Sequence, residues 1–219
     1  MTHRLALFDC DGTLADSQHD IVAAMRGAFA EVGLPPPDTA AIRAAIGLSL
    51  PAVIRRLCAE DGQHGALIEA YRHRYFASRT AAAATPEPLF DGTVATLDAL
   101  ASRGWLLGIA TGKSRRGLDR LLLQHSVADR FVTLQTADHH PSKPDPAMVA
   151  AALDETGIAA ARTVVIGDTA FDMAMARHAG VLAVGVAWGY HPVAELTAAG
   201  AVAIAHDMHE LPDLLEDLI

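Results

Sequence analysis

The chain has 219 residues, 51% of them hydrophobic and 20% charged, which suits a globular protein with one good-sized core or a core carrying a smaller inserted unit. The net charge is -9 and no run of lysine or arginine stands out. This argues against a nucleic-acid or anionic-membrane partner, because both rely on clustered cations. No stretch approaches the ~18 apolar residues of a membrane span, and the amino-terminal apolar run is too short for a signal peptide. Two cysteines, Cys10 and Cys58, make no disulfide framework, so the expectation is a cytoplasmic protein with two buried thiols.

In chain order, LALFD (5–9) reads as a buried parallel strand ending at Asp9. A turn-rich segment follows, and Ser17 can cap a helix through about Val32, with Ile21, Val22, Met25, Phe29 and Val32 at helical spacing. Gly33 and the prolines at 35–37 stop it. From there to about Ala84 the pattern stays helical, and AAAATPEP (81–88) reads as a linker. Asp91 then caps a helix ended by Gly104, and WLLGIAT (105–111) is a strand followed by a leucine-rich helix to about His125. FVTLQT (131–136) is a strand, a helix follows SKPDP, TVVIGD (163–168) is a strand, TAFDMAMARHAG is a helix, and VLAVGVA (181–187) is a strand. Two helical stretches close the chain. Alternating strand and helix implies a parallel sheet with helices on both faces. The expected fold is α/β, a Rossmann-like core of residues 1–16 and 85–219, with an all-helical cap inserted at 17–84.

Ligands of an open parallel sheet bind beyond the carboxyl ends of its strands. Asp9 and Asp11 follow the first strand, Thr111 ends the second, Lys143 follows the third by a loop, and Asp168 and Asp172 follow the fourth. Four carboxylates there would repel one another without a cation. An all-oxygen set with room for water and phosphate suits magnesium (Mg2+), and the eleven histidines are too scattered for a zinc site. Phosphate oxygens need donors, which Thr111, the N–H of Gly112, Lys143 and the turn around Gly12 supply.

DCDGTLADS (9–17), ATGKS (110–114), SKPDP (142–146) and GDTAFDM (167–173) resemble, in order, the four motifs of the haloacid dehalogenase superfamily. The helical insertion, FDG (90–92) and GVAWGY (185–190) resemble its phosphoglycolate phosphatase-like branch. The resemblance spans essentially the whole chain. It implies that Asp9 attacks phosphorus, and that Asp11 protonates the leaving oxygen and then activates water. Asp9, Asp168, Asp172 and the Asp11 carbonyl would hold magnesium. Thr111 and Lys143 would hold the phosphoryl group, and Thr13 would orient the first loop. By resemblance too, Gly47, Leu48 and Ser49 in the cap loop are candidates for contact with the leaving group.

Within that family, Asp11 fits phosphoryl transfer rather than dehalogenation. The absence of lysine from 17–84 excludes a Schiff-base mechanism housed in the cap. The expected activity is hydrolysis of a small phosphate monoester, 2-phosphoglycolate being one candidate. A phosphosugar mutase and a catalytically decayed binding or regulatory module are the alternatives. The expected partner is a small phosphorylated metabolite, with a homodimer left open. Arg115 and Arg116 read as a solvated helix face, Ser17 and His19 as structural residues at the hinge, and Trp188 and Tyr190 as packing for the last loop.

Overall fold

Alternation along the first strand decides how the molecule is layered. In β1 (Arg4–Phe8), Leu5 and Leu7 point to one face while Ala6 and Phe8 point to the other, and all four are fully buried. A strand buried on both faces must be covered on both. The computed structural model describes residues 3–80 and 86–219. After β1 come four helices: α1 (Gln18–Glu31), α2 (Thr39–Arg43), α3 (Leu50–Leu57) and α4 (His64–Thr80). Then α5 (Thr93–Ser102) leads to β2 (Trp105–Thr111), α6 (Arg115–Gln124), β3 (Phe131–Thr136) and α7 (Ala147–Thr156). The chain continues through β4 (Thr163–Gly167), α8 (Ala170–Ala179), β5 (Leu182–Val186), α9 (Val193–Ala199), β6 (Ala203–Ala205) and α10 (Leu211–Leu218).

The strands form one parallel sheet in the order β3-β2-β1-β4-β5-β6. This is the Rossmann-like α/β architecture read from the sequence. Phe8 lies beside Ile109 of β2 and Ile166 of β4, so β1, β2 and β4 end at one edge and deliver Asp9, Thr111 and Asp168 there together. One face of the sheet packs Ala6 and Phe8 against leucines of α5, α6 and α10. The other packs Leu5 and Leu7 against Met148 and Val149 of α7, Met173 and Met175 of α8, and Leu196 of α9. A third cluster unites α1–α4 through Ile21, Met25, Phe29, Ile42, Val53, Ile54 and Leu67, and takes in Tyr190 from the loop after β5. The linker expected at 81–88 and the boundary expected at 84/85 fall largely on residues 81–85, outside the described residues. Among the described residues no helix is long and apolar enough to cross a membrane.

Three local expectations are corrected. The closing segment holds a strand, β6, between its two helices. With three residues on the sheet edge it is too short to carry a period and is defined only by pairing with β5. Asp91 does not cap α5: the position before the helix is Gly92, in the left-handed region at φ 82, with no side-chain cap bond. A Cβ there would also strike the His209 ring at 2.7 Å. Ser17 precedes α1 but does not cap it, because its hydroxyl is engaged elsewhere. Both cysteines are buried and free, as expected, with Cys10 just past β1 rather than within it.

Gly108 in β2 leaves no room for a methyl group. A Cβ would meet Thr133 Cγ2 at 2.5 Å and Leu7 Cδ1 at 2.9 Å. Thr133 cannot yield freely, since its hydroxyl bonds Glu155 at 2.6 Å and accepts from Gln135 at 2.7 Å. Gly108→Ala is expected to destabilise the protein by about 1–3 kcal/mol in urea unfolding with an unchanged m value. A change under ~0.5 kcal/mol would show that the sheet is looser there than this packing implies.

Candidate active site at the carboxyl edge of the sheet

The loop after β1 is wound tightly enough to aim several groups at one point. The carbonyl of Cys10 accepts from the N–H groups of Thr13, Leu14 and Ala15, at 3.3, 2.9 and 3.0 Å, and Gly12 supplies the positive φ of 92 that the turn requires. Asp9 is held by its own N–H, which donates to Ile166 O at 2.8 Å. Its Oδ1 accepts from the N–H of Cys10 at 2.7 Å and lies 3.0 Å from Lys143 Nζ. Its Oδ2 is buried with no partner.

Asp168 and Asp172 reach the same point from the β4–α8 turn. Asp168 accepts from the Thr13 hydroxyl at 3.0 Å and from the N–H of Tyr190 at 2.9 Å. Asp172 closes a capping box with Thr169 at the start of α8, accepting from its N–H at 3.0 Å and its hydroxyl at 2.6 Å. Its other oxygen takes Lys143 Nζ at 2.5 Å. The space around Asp168 is so tight that a Cβ on Gly12 or Gly189 would run into its carboxylate.

Asp9, Asp168 and Asp172 thus bring one oxygen each within 4.8 Å of one another, all buried. Burial pushes the Asp9 carboxyl up to about 7, Asp172 and Asp11 adding to the rise while Lys143 opposes it. Burial, with Asp9 and Asp172 alongside, pushes Asp168 well above the usual carboxylate range. Lys143 is held above the ordinary lysine value: burial disfavours its charge, but Asp172 and Asp9 outweigh burial. One ammonium does not balance three carboxylates. The missing positive charge, the partnerless Asp9 oxygen and the all-oxygen donor set fit a hard divalent cation.

Asp11 stands apart from this cluster. Its Oδ1 accepts from the Ser17 hydroxyl at 2.6 Å and from Lys113 Nζ at 2.7 Å. Burial alone would raise it, yet Lys113 and Ser17 bring it below the ordinary carboxylate value. Lys113 also bonds Glu87 at 2.9 Å and the Tyr75 hydroxyl at 3.0 Å, and Arg79 joins Glu87 at 3.3 Å and Asp20 at 2.5 Å. This buried network runs from the loop after β1 into α4 and α1. The sequence reading passed over Lys113, Glu87, Tyr75 and Arg79. A signal existed for Lys113: of the 17 Lys and Arg residues only Lys113 and Lys143 are lysines, and both follow strands.

Thr111 ends β2 fully buried and accepts the Lys113 N–H at 3.2 Å. Gly112 is pressed under the α2–α3 loop, where a Cβ would meet Leu48 O at 2.5 Å and Gly47 O at 2.6 Å. Beneath α1, α3 and α4 a cavity of about 440 Å³ opens onto Asp11, Thr111, Gly112 and Lys113. Leu48 lines it and Ser49 does not; the Ser49 N–H donates to Ser142 Oγ at 2.9 Å. Of the arginines read as solvent-facing, Arg115 pairs with Asp119 at 2.7 Å, while Arg116 lies over the Phe76 ring at 4.2 Å on the cavity rim. Tyr190 does more than pack its loop: its hydroxyl accepts from the Ser17 N–H at 3.1 Å. The Trp188 indole donates to Thr13 O at 3.1 Å. His19 is exposed.

Residues 6–186 match the family model of haloacid dehalogenase-like hydrolases. The chain belongs to that family. It is 35% identical to a probable phosphatase, IndB, of Dickeya dadantii, across 94% of this chain and 91% of that protein. It is 33% identical to a phosphoglycolate phosphatase of Rhodospirillum rubrum, across 97% and 90%. Among solved structures, a hydrolase from Pseudomonas syringae superposes with a TM-score of 0.86 at 27% identity, covering 100% of this chain and 99% of that one.

If the carboxylates are under mutual repulsion, removing one charge should stabilise the metal-free protein. Asp168→Asn can still accept from Tyr190 and donate to Thr13. In EDTA it is expected to raise Tm by roughly 2–8 °C, at 2–4 °C per kcal/mol for a chain of this size. An equal or lower Tm would mean that the hydrogen bonds to Asp168 already offset the repulsion.

Proposed function

We propose that this hydrolase is a magnesium-dependent phosphatase that cleaves a small phosphate monoester by way of a phosphorylated Asp9. The observation that carries the proposal is the placement of Asp9: buried, held by Lys143, with one oxygen unpartnered, in a cluster with Asp168 and Asp172. A carboxylate kept ionised there by cations is a nucleophile, and phosphoryl transfer needs little more than positioning and charge. The family and the phosphatase relatives support the same reading. The name of the Rhodospirillum rubrum relative makes 2-phosphoglycolate one candidate ester.

Asp9, Asp168, Asp172 and the Asp11 carbonyl are the groups that would hold the ion. When bound, magnesium supplies positive charge to the transferring phosphoryl oxygens. Lys143, 3.0 Å from Asp9 Oδ1, adds a second positive charge, and Thr111 with the N–H of Gly112 would donate to the remaining oxygens. An Asp9 oxygen bonds to phosphorus as the ester oxygen leaves, and that oxygen takes a proton from Asp11. Asp11, now ionised, removes a proton from water as the water oxygen attacks the phosphorus on Asp9. Phosphate leaves, Asp9 is restored and Asp11 is protonated again. Two aspartates two residues apart on one turn suit two displacements at one place. The helices α1–α4 act as a cap that encloses the leaving group and excludes water.

Exhaustive chelation with EDTA is expected to abolish phosphate release, and added magnesium to restore it. Full activity after chelation would remove the metal from the scheme.

Asp9→Asn is expected to abolish turnover, and Asp11→Asn to slow it by ~10²–10⁴. The second variant should still take a phosphoryl group on Asp9 from an activated donor. Mass spectrometry that placed the phosphoryl group on another residue would overturn the assignment of the nucleophile.

A further inference from the structure

We propose that the ester cleaved here carries a bulky, apolar, ring-bearing alcohol rather than a two-carbon acid. This rests on the phosphatase reading above and names its substrate class. The cavity is the space that remains when the helices are already seated on the core. The Gly47–Leu48 backbone sits on Gly112 with no room for a methyl group, and the Ser49 N–H is bonded to Ser142 at 2.9 Å. About 440 Å³ remains, within the range of cavities that bury drug-sized ligands and far beyond what a glycolate leaving group fills.

The walls are mostly hydrocarbon and ring, with Met25, Ile46, Leu48, Val53, Tyr71 and Tyr75 among them. The two tyrosine rings stack at 5.6 Å with 14° between their planes; Tyr75 is buried with Arg79 and Lys113 at 5.6 and 5.5 Å from its ring centre, so Tyr71 is the ring of the pair left to face another flat ring. The Tyr71 hydroxyl has no hydrogen-bond partner among the described residues and can serve one polar group on the ligand.

Charge points the same way. A small acid such as phosphoglycolate would need a cation for its carboxylate. The only ammonium lining the cavity among the described residues, that of Lys113, already faces Asp11 at 2.7 Å and Glu87 at 2.9 Å. A substrate carboxylate would be a third anion beside two buried ones. Arg72 and Arg116 lie exposed at the rim, Arg72 paired with Glu69 at 3.0 Å. A glycolate group would therefore leave apolar wall against water, and the guanidinium groups that could meet its charge stand at the exposed rim rather than beside Asp11, whereas an apolar alcohol covers that wall and adds no charge.

The test is kcat/KM from phosphate release with magnesium, across ethyl, hexyl, 2-phenylethyl and 2-(2-naphthyl)ethyl phosphates and 2-phosphoglycolate. The four alkyl esters share a primary alkoxide leaving group, so their ranking reports contacts rather than intrinsic reactivity. The expected result is a rise of roughly 10²-fold from ethyl to the ring-bearing esters, with phosphoglycolate below both of the latter. Val53→Trp, and independently Ile46→Trp, should lower the 2-phenylethyl-to-ethyl ratio by at least ~10-fold by filling the space. If phosphoglycolate or ethyl phosphate is cleaved as well as the ring-bearing esters, the substrate class is wrong and the phosphatase reading stands. If no ester in the panel is cleaved, the phosphatase reading itself falls.

Discussion

Three carboxylates and one ammonium, all buried at the end of the central strands, set the terms for the rest of the molecule. Asp9, Asp168 and Asp172 lie close enough to repel one another, and Lys143 touches two of them. Such a cluster is held only if the surrounding structure leaves the side chains no alternative position. That explains several features at once. Gly12 and Gly189 are glycines because any side chain would displace Asp168. The capping box fixes Asp172 through the start of α8, so that helix cannot shift without moving the carboxylate. Tyr190, two strands away from β1 in the sheet, is drawn in because its N–H holds the second oxygen of Asp168. The parallel register of β1, β2 and β4 then serves chiefly to bring these loops to a common level.

A second buried ion network lies beside the first and has different work. Lys113 bridges Asp11 to Glu87 and Tyr75, and Glu87 bridges onward to Arg79 and Asp20. Burial raises Glu87 above its usual value, with Lys113 pulling it down and Asp11 pushing it up. The network spans the loop after β1, the segment before α5, the start of β2–α6, and helices α1 and α4. Removing one member would leave a charge buried without its partner, which costs far more than the intact pair contributes. The seating of the helices on the core and the orientation of Asp11 are therefore one problem rather than two.

What the sequence disclosed follows from how each feature is encoded. The strands β1 to β5 carry unbroken apolar runs, and their covering helices show a period, so both were legible. Asp9, Thr111, Lys143 and Asp168 were legible as a set because parallel strands send their carboxyl ends to one edge. Strand β6 was not, since three residues on an edge have no pattern of their own. Ser17 and Asp91 were read as caps because Ser and Asp usually serve there. At Ser17 a buried carboxylate competes for the hydroxyl, and at Asp91 the following glycine takes the cap position. Glu87 lay in a stretch read as linker, and its partners Lys113 and Tyr75 are 26 and 12 residues away in sequence, with Arg79 across the same stretch, so only the fold reveals its burial. Leu48 and Ser49 are neighbours that resemblance alone could not separate, whereas the structure puts one on the cavity and turns the other to Ser142.

The site has two halves with opposite solvation, and Asp11 stands at their junction. Around Asp9 stand three carboxylates and one ammonium, a group that accepts an anion only together with cations. On the other side the walls are hydrocarbon and aromatic rings, open to Asp11 at one end. In the proposed reaction the bond that breaks joins these halves, so the proton must be delivered where the polar region meets the apolar one. Lys113 gives Asp11 a counter-charge outside the cluster around Asp9 and, against burial, holds its carboxyl below the ordinary carboxylate value. Because Lys113 is itself anchored to Tyr75 of α4, the aspartate to which the proposed reaction gives the proton is tied to the helices over the cavity.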